Sequence, residues 1–156
     1  MNILFVCTGN TCRSPLAEGI TRALVAHRDV NGVVVRSAGT NAHNGSPASD
    51  GSLLVGLEEG IDLNGHRAQE LTPELVHWSD LILVMGTQHR ERAEMLGGEG
   101  KTHLLTAYAS RGEHARPVQD PFGGDLSAYR ATYEELTQEI GDVLDRITSE
   151  RHQPPV

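Results

Sequence analysis

Near the start of the chain, in the run VCTGNTCRSP over residues 6–15, a thiol at Cys7 and a guanidinium at Arg13 are separated by five turn-prone or small polar positions. A loop this short, caught between an apolar strand candidate and a helix start, must curl. Gly9 and Asn10 are the residue types that tolerate the positive φ values a tight curl demands. Successive backbone N–H groups of such a curl can point inward as an anion nest. The following helix adds the positive end of its dipole. Arg13 adds a planar fork that matches two oxygens of a phosphoryl group. The centre of the ring is therefore a site for a tetrahedral dianion, with Cys7 at its floor. A helix N-terminus and a neighbouring cation favour the thiolate form of a cysteine, and Ser14 can donate a hydrogen bond to that sulfur. This arrangement serves nucleophilic phosphoryl transfer through a thiophosphate intermediate. The same donors would stabilise the equatorial oxygens of the transition state.

The leaving group needs a proton. Asp120 opens the turn-rich run Asp120-Pro121-Phe122-Gly123-Gly124, ahead of the last helical stretch. By itself an aspartate before proline is a turn former. Placed on a loop that can fold over the crevice, it is the best candidate for the general acid, and for the base toward water in a second half-reaction. The eight histidines are scattered and make no His-x3-His pair on an acidic helix. No metal or other cofactor is expected.

The elements that must position these residues read as alternating strands and helices. Ile3–Val6 is a short apolar strand. Leu16, Ile20 and Leu24 recur at helical spacing behind Pro15, which suits a first turn. Val33–Val35 is strand-like and closed by Ser37-Ala38-Gly39, and 40–49 reads as a surface loop. Leu53, Leu54, Leu57 and Ile61 suggest a second helix stopped near Gly60. Thr72-Pro73-Glu74 is a cap opening a third helix. Leu81–Met85 is a strand covered on both faces, Thr87–Leu96 is helical up to Gly97-Gly98, and Thr102–Ala107 is the fourth strand candidate. From Leu126 to Ile147 one apolar stripe runs down a long final helix. This alternation predicts an α/β fold with a parallel sheet. In such sheets ligands bind beyond the carboxyl ends of the strands, where residues 7–14 fall.

Composition sets the outer limits. At 156 residues the chain is one domain by size, expected over 1–151 with a frayed tail at 152–156. With 13 Lys and Arg against 21 Asp and Glu, the formal net charge is −8, which argues against nucleic acid and against anionic membranes. No stretch approaches the roughly 20 apolar residues of a spanning helix. The N-terminus lacks the basic start and small-residue cleavage site of a signal peptide, so a cytoplasmic location is expected. Two cysteines five residues apart cannot staple a fold of this size, and read as reactive rather than structural.

The runs VCTGNTCRSPLAE and DPFGGD, in this order and with these flanking elements, resemble the low-molecular-weight protein-tyrosine phosphatase family over nearly the whole chain. The resemblance implies Cys7 as nucleophile, Arg13 as phosphate-binding and transition-state residue, and Asp120 as proton donor. It implies Thr8, Gly9, Asn10, Thr11, Cys12 and Arg13 as the phosphate cradle, with Asn10 and Ser14 bracing the loop and the thiolate. It further implies a four-stranded parallel twisted sheet flanked by helices on both faces, and phosphorylated proteins as substrates. A monomer is expected.

Two positions depart from the family's tyrosine-specific pattern. A bulky aliphatic residue usually precedes the second cysteine, and here Thr11 stands there. Of the two aromatics that often follow Asp-Pro, Phe122 is present and Gly123 replaces the second. This pairing is similar to bacterial protein-arginine phosphatases of the same family. A threonine hydroxyl can hydrogen-bond a guanidinium that an aliphatic rim would leave unpaired. Asp120 can bond the same group, and Phe122 can stack on its plane. Hydrolysis of phosphoarginine in proteins is the favoured function, with tyrosine phosphatase the alternative. Related arsenate reductases need further cysteines downstream, and none follows Cys12. A phosphocarrier module would not require the Arg13 fork or the Asp120 loop. Cys12 is either a packing residue or a partner for Cys7 in a protective disulfide.

Overall fold

The computed structural model describes residues 1–152. Its four strands are β1 (Asn2–Cys7), β2 (Val34–Gly39), β3 (Leu81–Val84) and β4 (Thr102–Leu104). The helices are α1 (Arg13–His27), α2 (Asp50–Glu58), α3 (Pro73–Trp78), α4 (Thr87–Ala93), α5 (Leu105–Ala109) and α6 (Leu126–Arg151). The sheet runs in the order β2-β1-β3-β4 with every neighbouring pair parallel. The expected α/β fold with a four-stranded parallel sheet is present. The chain leaves β1 toward β2 on one side and later returns to β3 on the other, so the order reverses at the carboxyl end of β1, the place where such sheets open a crevice.

Strand periodicity divides the core. Ile3 and Phe5 of β1 point with Leu83 into a layer closed by Leu16 and Ile20 of α1 and Leu136, Ile140 and Leu144 of α6. Leu4 and Val6 point the other way, with Ile82 and Val84, onto Leu75 and Val76 of α3 and Ala93 of α4. Side chains alternate across a strand, so one apolar run supplies both layers. Each fully buried large aliphatic here stabilises the fold by about 1.5–3 kcal/mol. The α3 start is as read: the Thr72 side chain accepts from the Leu75 N–H and Pro73 takes the first turn.

Four local expectations are corrected. The fourth strand stops at Leu104 rather than Ala107, and Leu105–Ala109 is helical, because Thr106 turns inward to hydrogen-bond Arg116 of the following loop. Ser37-Ala38-Gly39 do not close β2 but continue it, where small side chains leave room for the loop after β1. Leu54 and Leu57 of α2 face solvent, 51% and 74% exposed, and Ile61 reaches the core only after the chain turns at Gly60 (φ +76°). The fourth helix loosens into a π turn over Glu94–Gly98, broken by Gly97 at φ +107°. Most of the expected tail, 153–156, lies outside the described residues. No helix among the described residues is long and apolar enough to cross a membrane.

Candidate active site

Cys7 is the last residue of β1, and the next five residues curl back to the start of α1. Asn10 takes the left-handed conformation at φ +56°, as the curl demanded. The carbonyls of Cys7 and of every loop residue but Gly9 turn to protein donors. Thr40 N–H donates to the Cys7 carbonyl, Asn41 N–H to Thr8, His66 Nε2 to Asn10 at 2.7 Å, Ser49 N–H to Thr11, and Leu16 N–H to Cys12. With the carbonyls held outward, the N–H groups of residues 8–12 have no protein acceptor among the described residues. A ring of outward carbonyls and free amides is an anion cradle.

Asn10 fastens this ring from behind. Its fully buried side chain donates to Ser14 Oγ at 2.7 Å and to Ser37 Oγ at 3.0 Å, and its Oδ1 accepts from the Gln69 N–H at 3.0 Å. Ser14 Oγ, already accepting from Asn10, lies 2.9 Å from Cys7 Sγ, where its own hydrogen can be given to the sulfur when that is a thiolate. The sulfur is thus held by a hydroxyl whose orientation is fixed two bonds away. Gly39 of β2 lies against the same turn: a Cβ there would stand 2.4 Å from the Thr8 carbonyl oxygen and 2.9 Å from the Asn10 nitrogen.

Arg13 is buried at 5% exposure. One of its terminal nitrogens donates to the Val118 carbonyl at 2.9 Å and the other stands 3.5 Å from Asp120 Oδ2. Its Nε is buried with no hydrogen-bond partner, a donor that a bound oxyanion would satisfy. Asp120 accepts from the Phe122 N–H at 3.0 Å, which closes the Asp-Pro turn on itself. Cys7, Thr8, Gly9, Thr11, Cys12, Arg13, Asn41, Asp120 and Phe122 together line a cleft of about 310 Å³. Asn10 and Ser14 lie behind this wall rather than in it. Phe122 is 73% exposed at the mouth.

Cys12 is not disulfide-bonded to Cys7 in this structure. Its sulfur is backed by Ser49 Oγ at 3.3 Å and by the Tyr129 hydroxyl of α6 at 3.5 Å. Burial, the foremost cause, pushes the Tyr129 phenol above its ordinary range.

His89, the third residue of α4, carries no mark in the sequence of a place in the site. It is fully buried, and its Nε2 lies 2.8 Å from Thr8 Oγ1. Its pKa is pushed down to about 4, first by burial and then by the Arg13 charge, with Asp120 pulling the other way. His66 and Gln69 were equally silent, because each meets Asn10 only once the 62–70 segment has folded along β2. No three His, Cys, Asp or Glu side chains gather into a metal-holding group among the described residues.

A parallel sheet that delivers a thiol into a ring of free amides, with a guanidinium beside it and a carboxylate across the cleft, is the layout of a cysteine-dependent phosphatase. The chain belongs to the low molecular weight phosphotyrosine protein phosphatase family, whose model matches residues 2–153. It is 36% identical over 149 residues to a protein-arginine-phosphatase of Geobacillus stearothermophilus, covering 96% of this chain and 97% of that one. Its identity to a protein-arginine-phosphatase of Bacillus subtilis is 37% over 153 residues, covering 97% and 99%. The low molecular weight protein-tyrosine-phosphatase PtpB of Staphylococcus haemolyticus is also 37% identical, over 90% of this chain and 96% of its own. Among solved structures, the arginine phosphatase YwlE, as a cysteine-to-serine mutant with a phosphorylated active-site serine, matches with a TM-score of 0.91 at 35% identity. That match covers 97% of this chain and 98% of the other.

Proposed function

We propose that this phosphoprotein phosphatase hydrolyses phosphoarginine in proteins. Cys7 Sγ attacks phosphorus as a thiolate, and the P–N bond to the substrate guanidine breaks. Protonated Asp120 gives its proton to the departing nitrogen, and the phosphoryl group stays on sulfur. A water then attacks phosphorus, losing its proton to the Asp120 carboxylate, and the P–S bond breaks to release phosphate and the thiolate. Through both steps the loop amides and Arg13 hold the three equatorial oxygens. Ser14 supports the sulfur whenever it carries charge.

One observation carries the choice of substrate. Thr11 lines the cleft, and among the described residues its hydroxyl has no hydrogen-bond partner beyond a weak one at 3.8 Å, Cys12 Sγ. The rim therefore keeps a free hydrogen-bonding group where an aliphatic side chain would offer none. A guanidinium can use it, and a phenyl ring gains nothing from it. The two protein-arginine-phosphatase relatives support the same choice. Phosphotyrosine is the alternative substrate, because the exposed ring of Phe122 offers a stacking plane to a phenyl group as well as to a guanidinium.

Steady-state kinetics on matched phosphoarginine and phosphotyrosine peptides test this. The wild-type enzyme should favour phosphoarginine in kcat/KM, and Thr11→Ile should move the ratio toward phosphotyrosine. An unaltered ratio would show that Thr11 does not set specificity.

A further inference from the structure

His89 is a buried titratable group that the proposed mechanism leaves unused. It sits just after β3, on the far side of the sheet's switch point from β2, with its ring pressed against the first residue of the cradle. Its Nε2 lies 2.8 Å from Thr8 Oγ1, while its Nδ1 is buried with no hydrogen-bond partner. Thr8 is exposed and lines the cleft. Among the described residues its hydroxyl has no partner other than His89.

We propose that His89 is a positioning residue: as the neutral Nε2–H tautomer it donates to Thr8 Oγ1, and so turns the Thr8 hydroxyl hydrogen into the cleft to bond a phosphoryl oxygen above Cys7. This rests on the phosphatase function proposed above. A hydroxyl carries one hydrogen. If Thr8 gave it to His89, the ring proton would sit on Nδ1, a buried donor with no acceptor. Thr8 would then show only lone pairs to an incoming phosphoryl group, whose oxygens are acceptors as well, and the contact would be repulsive. With the proton on Nε2, each hydrogen has an acceptor once substrate binds. Burial and the neighbouring Arg13 charge keep the ring neutral, which the arrangement needs, since a protonated ring would also carry the orphaned Nδ1–H. Thr8 would touch the reacting group, and His89 would act through it.

Two measurements on the full chain test this. Long-range nitrogen–proton NMR of the wild-type protein at pH 7 reads the tautomer directly and needs no substitution; a neutral ring protonated at Nε2 is expected, and a proton on Nδ1 would overturn the proposal. Kinetics supply the second arm. Thr8→Val and His89→Leu should each lower kcat about tenfold, the worth of one hydrogen bond. The double variant should lose little more than either single one. His89→Gln, whose amide nitrogen reaches the same position, should retain most of the rate. Thermal melting identifies any variant that fails to fold, and the tautomer measurement decides in that case. Fully additive losses, or an unchanged kcat in folded His89→Leu, would overturn the proposal while leaving the phosphatase function standing. A wild-type chain without any turnover would overturn both.

Discussion

At the scale of single residues, the site separates groups that line the cleft from groups that fix them from behind. Cys7, Arg13 and Asp120 face the cleft, whereas Asn10 and Ser14 form the buried chain that holds the sulfur. Cys7→Ser should abolish turnover yet leave binding of vanadate or phosphate measurable by calorimetry, because the amide ring and Arg13 are untouched. Asp120→Ala should lower kcat/KM on phosphoarginine by about 10²–10⁴-fold, the usual worth of a general acid. On an aryl phosphate with a stable leaving group the loss should be far smaller, since no proton is needed there. Because kcat/KM leaves out the later water step, which both substrates share, equal losses in it would place Asp120 outside protonation of the leaving group. The facing groups were legible in the sequence because they come in two short motifs, each with its own turn residues. His89, His66 and Tyr129 were not. They lie 82, 59 and 122 positions along the chain from Cys7, and a lone histidine or tyrosine carries no local mark of what it will touch.

At the scale of elements, the cradle exists because β2 is bare where β1 ends. Cys7 pairs with Gly39, and the free side of that glycine receives the curl of residues 8–10. Gly39→Ala puts a methyl group 2.4 Å from the Thr8 carbonyl oxygen. That neighbour is backbone, so the loop must shift. A stability loss of about 1–3 kcal/mol is expected in denaturant titration. A displacement approaching 1 Å at the reacting group should cost about 10²-fold in kcat/KM. Unchanged activity in a fully folded Gly39→Ala protein would show that the loop tolerates the shift. The sequence marked Gly39 only as the end of a strand, because small residues read alike whether they close an element or make room beside it. Leu105–Ala107 reads as strand for the opposite reason: a short apolar run fits a buried strand or a buried helix equally, and the Thr106 contact to Arg116 that decides it is tertiary.

At the scale of the whole molecule, burying these groups ties stability to pH. His89 and His103 are both held below the ordinary histidine value of 6.5, each by burial first; Arg13 adds to this for His89, Arg146 and Arg90 for His103. As pH falls through 6.5, the unfolded chain takes up protons at both rings while the folded chain refuses them, in the case of His89 down to about 4. The unfolded state then binds more protons, so stability rises with pH across this window and is lost on acidification. Glu139 works in the other direction. Burial, its largest cause, raises it above the ordinary 4.5 in spite of its pairing with Arg116, so its contribution declines as pH climbs past that value. The histidine effect should prevail between pH 4 and 6.5, since two rings oppose one carboxyl and His89 is fully buried. The midpoint of denaturant unfolding should therefore fall steadily from pH 6.5 to pH 4. In His89→Gln, which cannot titrate, it should fall by visibly less. Parallel curves for the two proteins would mean that His89 takes up its proton as readily folded as unfolded, and that the buried, neutral ring behind Thr8 is not the form present in solution.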